Sequence, residues 1–299
     1  MVKFAQLLVY GLSLGSLYGL VALGFVVIFK STGVLNFAHG AIVLIAGYML
    51  FLAGAGGLHA PFAFAFVIAL VAVAVFSVAI ERLVLGYAAS SSVDTKLMIT
   101  LGLYIVLVTA AEAYFGVNQV SIGVPLNGQL VIGGVHVDHI RLAAIAGSFV
   151  CVGALALFFS RTKLGLSMRI VATDPEVATV LGINVQGVHA LAWAIAGVLG
   201  LVAVTFLGSL PGYGLQPATA YVAFRAFPAA VLGGMASLPG AVVGGLLIGL
   251  VEVLMAGYQP EFFPWLGTGF YIVSGYVVMV AILLIRPQGI FGSRSGERV

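Results

Sequence analysis

The sequence predicts an all-α bundle that crosses a membrane many times, and three observations carry that prediction. Only 7% of the 299 residues are charged, against roughly a quarter in soluble domains, and the mean hydropathy is +1.22. Ser31–Ile80 and Val177–Phe224 run for 50 and 48 residues without Asp, Glu, Lys or Arg. The apolar runs, such as Phe64–Phe76, do not alternate with polar residues. A membrane β-barrel would need that alternation over strands of ~10 residues, so the segments are helices.

A helix needs about 20 apolar residues to cross the hydrocarbon core. Charges and turn residues cut the chain into about eight or nine transmembrane segments, near 4–29, 38–57, 61–80, 97–115, 142–160, 188–208, 217–236, 240–257 and 265–285. They form one transmembrane domain over 1–299. The first segment is too long for the core of a cleavable signal and lacks a small-residue cleavage site, so it is expected to remain as a span. Lys30, Arg82, Lys96, Arg161, Lys163, Arg169, Arg286, Arg294 and Arg298 fall on one side, and Lys3 and Arg141 on the other. By the positive-inside rule the first side is cytoplasmic. An odd span count then puts the N-terminus outside, and one re-entrant segment counted as a span would reverse it.

Gly11, Gly15 and Gly19 share one face of the first segment, and Gly240, Gly244, Gly245 and Gly249 form two small-xxx-small pairs in the eighth. Missing side chains let helix backbones approach closely in lipid. These faces serve packing within the bundle or contact with a partner membrane subunit. The segment Lys30–Gly40 joins the first two spans and carries Asn36, Phe37 and His39. Irregular polar backbone at membrane depth is tolerated where it is buried in protein or lines a cavity. These residues either bond neighbouring helices or line a translocation pathway.

An external loop over about 116–141 contains Gly133-Gly134 between β-branched residues, a two-residue hairpin signal. The loop over about 161–187, on the cytoplasmic side, contains a short helix with clear ends. Asp174 caps it, Pro175 suits its first position, Glu176 favours the positive end of its dipole, and Gly182 stops it in the left-handed conformation. At about two turns it is unstable alone. It lies on the lipid headgroups or docks on a cytoplasmic protein.

Three ionisable residues fall inside spans: Glu112, Arg225 and Glu252. Such groups cost about 2.5–3.5 kcal/mol at a helix centre and normally face the bundle interior or water. Arg225 sits between Pro217 and Pro228 in a segment that these prolines can break. It is the first pathway candidate, while Glu112 and Glu252 are expected near the outer ends of their spans. The sequence has no His-Glu-x-x-His, no Gly-x-Ser-x-Gly and no nucleotide-cradling glycine loop. The lone Cys151 offers no thiol metal site, no metal is expected elsewhere, and no basic patch supports nucleic-acid binding. Movement of a solute by helix rearrangement is the leading class of function. A stand-alone secondary transporter using Glu112, Arg225 and Glu252 is the alternative, and a structural scaffold for other membrane subunits is the third.

Several motifs occur in order: Gly15-Ser-Leu-Tyr-Gly-Leu-Val-Ala-Leu-Gly24, Gly33-Val-Leu-Asn-Phe-Ala-His-Gly40, Thr162-Lys-Leu-Gly165, Leu181-Gly-Ile-Asn184, Ala230-Val-Leu-Gly-Gly234, Pro239-Gly-Ala241 and Arg286-Pro-Gln-Gly-Ile-Phe-Gly292. With them the chain resembles the LivH-type permeases of bacterial ABC importers for branched-chain amino acids. The resemblance implies a non-catalytic, multi-pass subunit of the inner membrane. Its implied partners are a second, LivM-like permease, two LivG/LivF-like ATPases and an extracytoplasmic binding protein. It implies no cofactor in this chain, with ATP and Mg²⁺ held by the ATPases. In such importers a permease helix marked by Glu-Ala-Ala-x-x-x-Gly seats in each ATPase. Glu176-Val177-Ala178 with Gly182 keeps that spacing, and the Ile and Leu-Pro that follow in the pattern are missing. The resemblance therefore assigns ATPase coupling to Asp174, Pro175, Glu176, Val177, Ala178, Leu181 and Gly182. Relatives often have an acidic residue after the His-Gly pair, where this chain has Ala41. That difference leaves an amide, a urea or an aromatic acid open as substrate beside the branched-chain amino acids.

Overall fold

A computed structural model describes residues 1–88, 91–267 and 269–292. Arg294 and Arg298, counted above on the basic side, lie outside the described residues. The chain forms α1 (Val2–Thr32), α2 (His39–Ala53), α3 (Phe62–Ile80), α4 (Val93–Phe115), α5 (His139–Arg161), α6 (Lys163–Thr173), α7 (Pro175–Val180), α8 (Val185–Leu207), α9 (Val222–Gly233), α10 (Leu238–Phe262) and α11 (Phe270–Ile285). A π turn, Glu81–Leu85, prolongs α3. A 3-10 turn, Pro217–Tyr221, precedes α9.

Six of these helices, α1, α3 with its π turn, α4, α5, α8 and α10, are long and apolar enough to cross a membrane, and α2 and α11 are shorter apolar helices. The chain is a polytopic helical bundle. The segment expected over 217–236 is instead one 3-10 turn and a 12-residue helix, about 18 Å at 1.5 Å per residue. That is short of the ~30 Å hydrocarbon core.

The interior is built on α1, which packs against α10, α8, α9 and α5. Most of α1 from Gly11 to Ile28 is buried. By contrast, α3, α4 and α5 expose apolar faces including Phe64, Val71, Val75, Ile105, Val106 and Val150, the side such helices turn to lipid. Glycine sets the closest contacts. A Cβ added at Gly245 or Gly249 would fall within 3 Å of the backbone of Gly19 or Gly15, and one at Gly11 within 3 Å of the Leu250 side chain. The other pair on α10 faces elsewhere: a Cβ at Gly240 or Gly244 would meet the backbone of Gly233 or Ala229, on α9. The two overlapping glycine pairs thus seat α10 against two helices at once.

The connections alternate between two ends. Lys30, Arg82, Lys96, Arg161, Lys163, Arg169 and Arg286 mark one, here called the basic end. At the other, Lys3 pairs with Glu261, and Arg141 bonds Asp138 at 3.0 Å and lies over the Tyr10 ring at 3.7 Å. That end also carries the hairpin of β1 (Gln129–Ile132) and β2 (Val135–Asp138), antiparallel with Gln129 opposite Asp138. Gly133 and Gly134 both have positive φ in its turn, the geometry that matches the twist of a two-residue hairpin.

Candidate functional site

The connector after α1 turns back into the bundle. His39 Nε2 lies 3.2 Å from the Val21 carbonyl oxygen, about 16 Å short of the α1 terminus along the axis. Helix α2 therefore begins at mid-depth. Its Gly40 abuts Ala220 of the 3-10 turn, where a Cβ would lie within 3 Å of the Ala220 carbonyl. Helices α2 and α9 are thus half-length elements whose N-termini meet inside the bundle, α2 running to the hairpin end and α9 to the basic end. Broken helices of this kind aim the positive ends of their dipoles at the membrane midplane.

Asn36 and His39 are buried in this junction, at 2% and 0% exposure. The Asn36 side-chain oxygen accepts a hydrogen bond from the Ala38 amide at 3.0 Å. The His39 ring packs edge-on against Phe25 and fills the space left by Gly24, where a Cβ would clash with it. The Phe37 amide donates to Thr100 Oγ1 at 3.3 Å, tying the connector to α4. In this conformation His39 ties the start of α2 to α1, the Asn36 oxygen braces the connector itself, and Phe37 is half-buried.

Next to the junction Arg225 Nη1 donates to Glu252 Oε1 at 3.0 Å, and the Tyr18 hydroxyl donates to Glu252 Oε2 at 2.8 Å. Glu252 lies at mid-depth and not at a span's outer end, because α10 runs on to Phe262. Three helices meet at one carboxylate. Tyr18, a residue the sequence marked only as part of a motif, is the third member. The Arg225 side chain remains 26% exposed and shares its face with exposed Tyr221 and Tyr213. Glu112 takes no part and is exposed on α4.

Removing one partner of a buried ion pair costs up to about 3–5 kcal/mol, because the other charge is left uncompensated. Glu252→Gln is expected to cost about 3 kcal/mol, near the lower bound because Arg225 is partly exposed. Tyr18→Phe is expected to cost about 1–2 kcal/mol. Thermal unfolding in detergent should rank the two variants in that order, and equal midpoints would refute the charge argument.

At the basic end, α7 carries the loop residues singled out above. Asp174 Oδ1 accepts from the Glu176 and Val177 amides at 2.9 and 3.1 Å. Gly182 follows with φ 75°, and the Ile183 amide closes the helix on the Ala178 carbonyl at 3.0 Å. Ala178 is fully buried, whereas Val177, Val180 and Leu181 are 50%, 88% and 63% exposed. So Ala178 anchors the helix while three apolar side chains project outward. Asp174→Ala is expected to remove about 1 kcal/mol of cap stabilisation. Hydrogen exchange at the Glu176 and Val177 amides should rise several-fold while exchange in α8 stays unchanged.

The sequence matches the family described as branched-chain amino acid transport system / permease component over residues 7–287. It is 31% identical over 309 aligned positions to the high-affinity branched-chain amino acid transport system permease protein BraD of Pseudomonas aeruginosa, covering 99% of this chain and 98% of that protein. It is also 31% identical, with the same coverage, to the corresponding protein LivH of Escherichia coli. The probable branched-chain amino acid transport permease protein LivH of Methanocaldococcus jannaschii is 27% identical over 91% of this chain and 88% of its own length. Among solved structures, PsaBC from Streptococcus pneumoniae in complex with Fab superposes with a TM-score of 0.50 at 17% identity. That match covers 95% of this chain and 92% of the other, a likeness of fold. By this full-length match and by its helical, membrane-spanning architecture, the chain belongs to the family of permease components of branched-chain amino acid transport systems.

Proposed function

We propose that the chain is one of two permeases in a bacterial inner-membrane ABC importer, and that α7 is where an ATPase subunit grips it. The observation that carries this reading is α7 itself: a helix capped at both ends, pinned by buried Ala178, and presenting Val177, Val180 and Leu181 to solvent at the basic end. An apolar face on so short a helix needs a cover. The exposed Glu176 adds a charge that a basic groove can read. Closure of two ATPases on ATP would move α7 and α6 as one body, and α8 begins directly after them. The shift would then reach the junction of α2 and α9. Arg225, with Tyr213 and Tyr221 beside it, is the wall this chain offers to a solute between two permeases.

Branched-chain amino acids are the first substrates to test, since the relatives are named for them. Ala41 is fully buried on the first turn of α2, so a relative's carboxylate at this position would lie inside the junction. Its absence keeps amides and urea on the test panel. The decisive experiment is recovery of the tagged chain from detergent-solubilised native membranes, with partners identified and uptake assayed in proteoliposomes. A second permease, two ATPases and ATP-dependent uptake that Glu176→Lys abolishes would support the reading. The chain alone, moving solute without ATP, would replace it with a secondary transporter built on Glu252 and Arg225.

A further inference from the structure

Pro228 lies buried in the second turn of α9. Proline has no amide hydrogen, so the bond that residue 228 would send back to the Phe224 carbonyl is missing. A carbonyl left unpaired at membrane depth is costly, and a proline inside a membrane helix is tolerated where a neighbouring group takes up the freed position. Tyr276 of α11 does so. Its hydroxyl donates to the Phe224 carbonyl oxygen at 2.7 Å, from 52 positions away. Tyr276 belongs to none of the motifs or clusters described above.

The bonded oxygen belongs to the peptide unit that joins Phe224 to Arg225. That unit is planar, so a bond to its oxygen also orients the Arg225 amide and the point at which the Arg225 side chain leaves α9. The far end of the same side chain is held by Glu252 of α10, through Nη1 at 3.0 Å. Arg225 is thus gripped at its root by α11 and at its head by α10. The two gripping helices pack on each other: a Cβ added at Gly275, beside Tyr276, would lie 3.1 Å from the side chain of Ile248, one turn before Glu252. The Phe224 ring packs edge-on against Tyr104 with centroids 5.2 Å apart, which anchors the same residue to α4 as well.

We propose that Tyr276 is a positioning residue for Arg225: it supplies the hydrogen bond that Pro228 deletes from α9, and so sets where the guanidinium stands beside the junction of α2 and α9. Pro228 provides the weak point at which α9 can bend, and the tie to α11 selects one bend. In this role Tyr276 touches no solute and acts through the peptide unit alone. Its effect on transport rests on the reading of Arg225 as a wall of the solute pathway, whereas its effect on the placement of Arg225 does not.

The test follows modification of Arg225 by 4-hydroxyphenylglyoxal in the full chain with its co-purifying subunits in lipid nanodiscs, read by mass spectrometry after digestion. The Arg225 side chain is 26% exposed, and Arg141, bonded to Asp138 at the hairpin end, is the internal control. Tyr276→Phe should raise the modification rate at Arg225 about 3–10-fold, as expected for the loss of one hydrogen bond, with Arg141 unchanged. Pro228→Ala returns an amide to α9, so Tyr276→Phe made in that background should change the rate less than about twofold. An effect as large with Pro228→Ala as without it, no change at Arg225, or an equal rise at Arg141 would each overturn the proposal. The consequence for transport is read from uptake of radiolabelled L-leucine by the same complexes in proteoliposomes supplied with the binding protein. Tyr276→Phe should lower the maximal rate about 3–10-fold and leave half-saturation, which the importer reading assigns to the binding protein, unchanged. A maximal rate per folded complex equal to wild type would overturn the role in transport. A failed importer reading shows separately, as uptake that does not respond to ATP, and the modification rates then still decide the placement of Arg225.

Discussion

Gly249→Leu is expected to remove folded protein from the membrane. The α-carbon of Gly249 approaches Gly15 so closely that a single added carbon would fall within 3 Å of that residue's backbone. Backbone cannot rotate aside as a side chain can. Overpacking of a tight interior site costs about 1–3 kcal/mol where side chains can adjust, and here α1 and α10 would have to separate along their length. That separation would also stretch the bond from Tyr18 to Glu252, which joins the same two helices. Fluorescence-detected size exclusion of tagged protein should show loss of the monodisperse peak. Gly102→Leu is the control, since nothing lies within 4 Å of a Cβ there, and it should leave the peak intact. A normal peak for Gly249→Leu would mean that the glycine contact does not hold the bundle together.

Val180→Asp is expected to abolish ATP-driven uptake while leaving accumulation and thermal stability unchanged. Val180 is 88% exposed, so the folded chain loses almost no packing when it is changed. A carboxylate buried under a docked subunit would go unpaired, and central interface residues of this kind cost about 2–4 kcal/mol on truncation or mismatch. That corresponds to a 30-fold or greater loss of association. Co-purification of the ATPase subunits should fall in parallel with uptake. Retention of both would sink the docking role of α7. Loss of uptake with full co-purification would place the effect in signal transmission and not in assembly.

The elements that the sequence showed most clearly are those whose cause is local. The ends of α7 were readable because a cap needs one side chain in the right place: Asp174 before Pro175 and Gly182 after Leu181. The hairpin turn followed from two adjacent glycines that both take positive φ. The apolar windows located the long helices because lipid demands length. Depth was not legible. Hydropathy reports whether a residue tolerates lipid, and it is silent on where in the bilayer a helix begins. The window containing α2 therefore read as a full span, although its helix starts at the level of Val21. The pairing of Glu252 with Tyr18 and Arg225 was likewise hidden, since the partners lie 234 and 27 positions away. A lone sequence offers no signal for so distant a contact.

The seat of α10 on α1 also has a consequence for biosynthesis. The ribosome makes α1 first, and its deepest partner is encoded more than 200 positions later, the separation of Tyr18 from Glu252 being 234. At 5–20 residues per second that is a wait of roughly 10–50 s, during which the glycine face of α1 and the Tyr18 hydroxyl stand open to lipid or to the insertion machinery. The earliest helix can be locked in place only near the end of synthesis. A nascent chain arrested before Leu238 should therefore hold α1 in the membrane but leave it open to crosslinking from outside the bundle, and release of the full chain should close that window in a single late step.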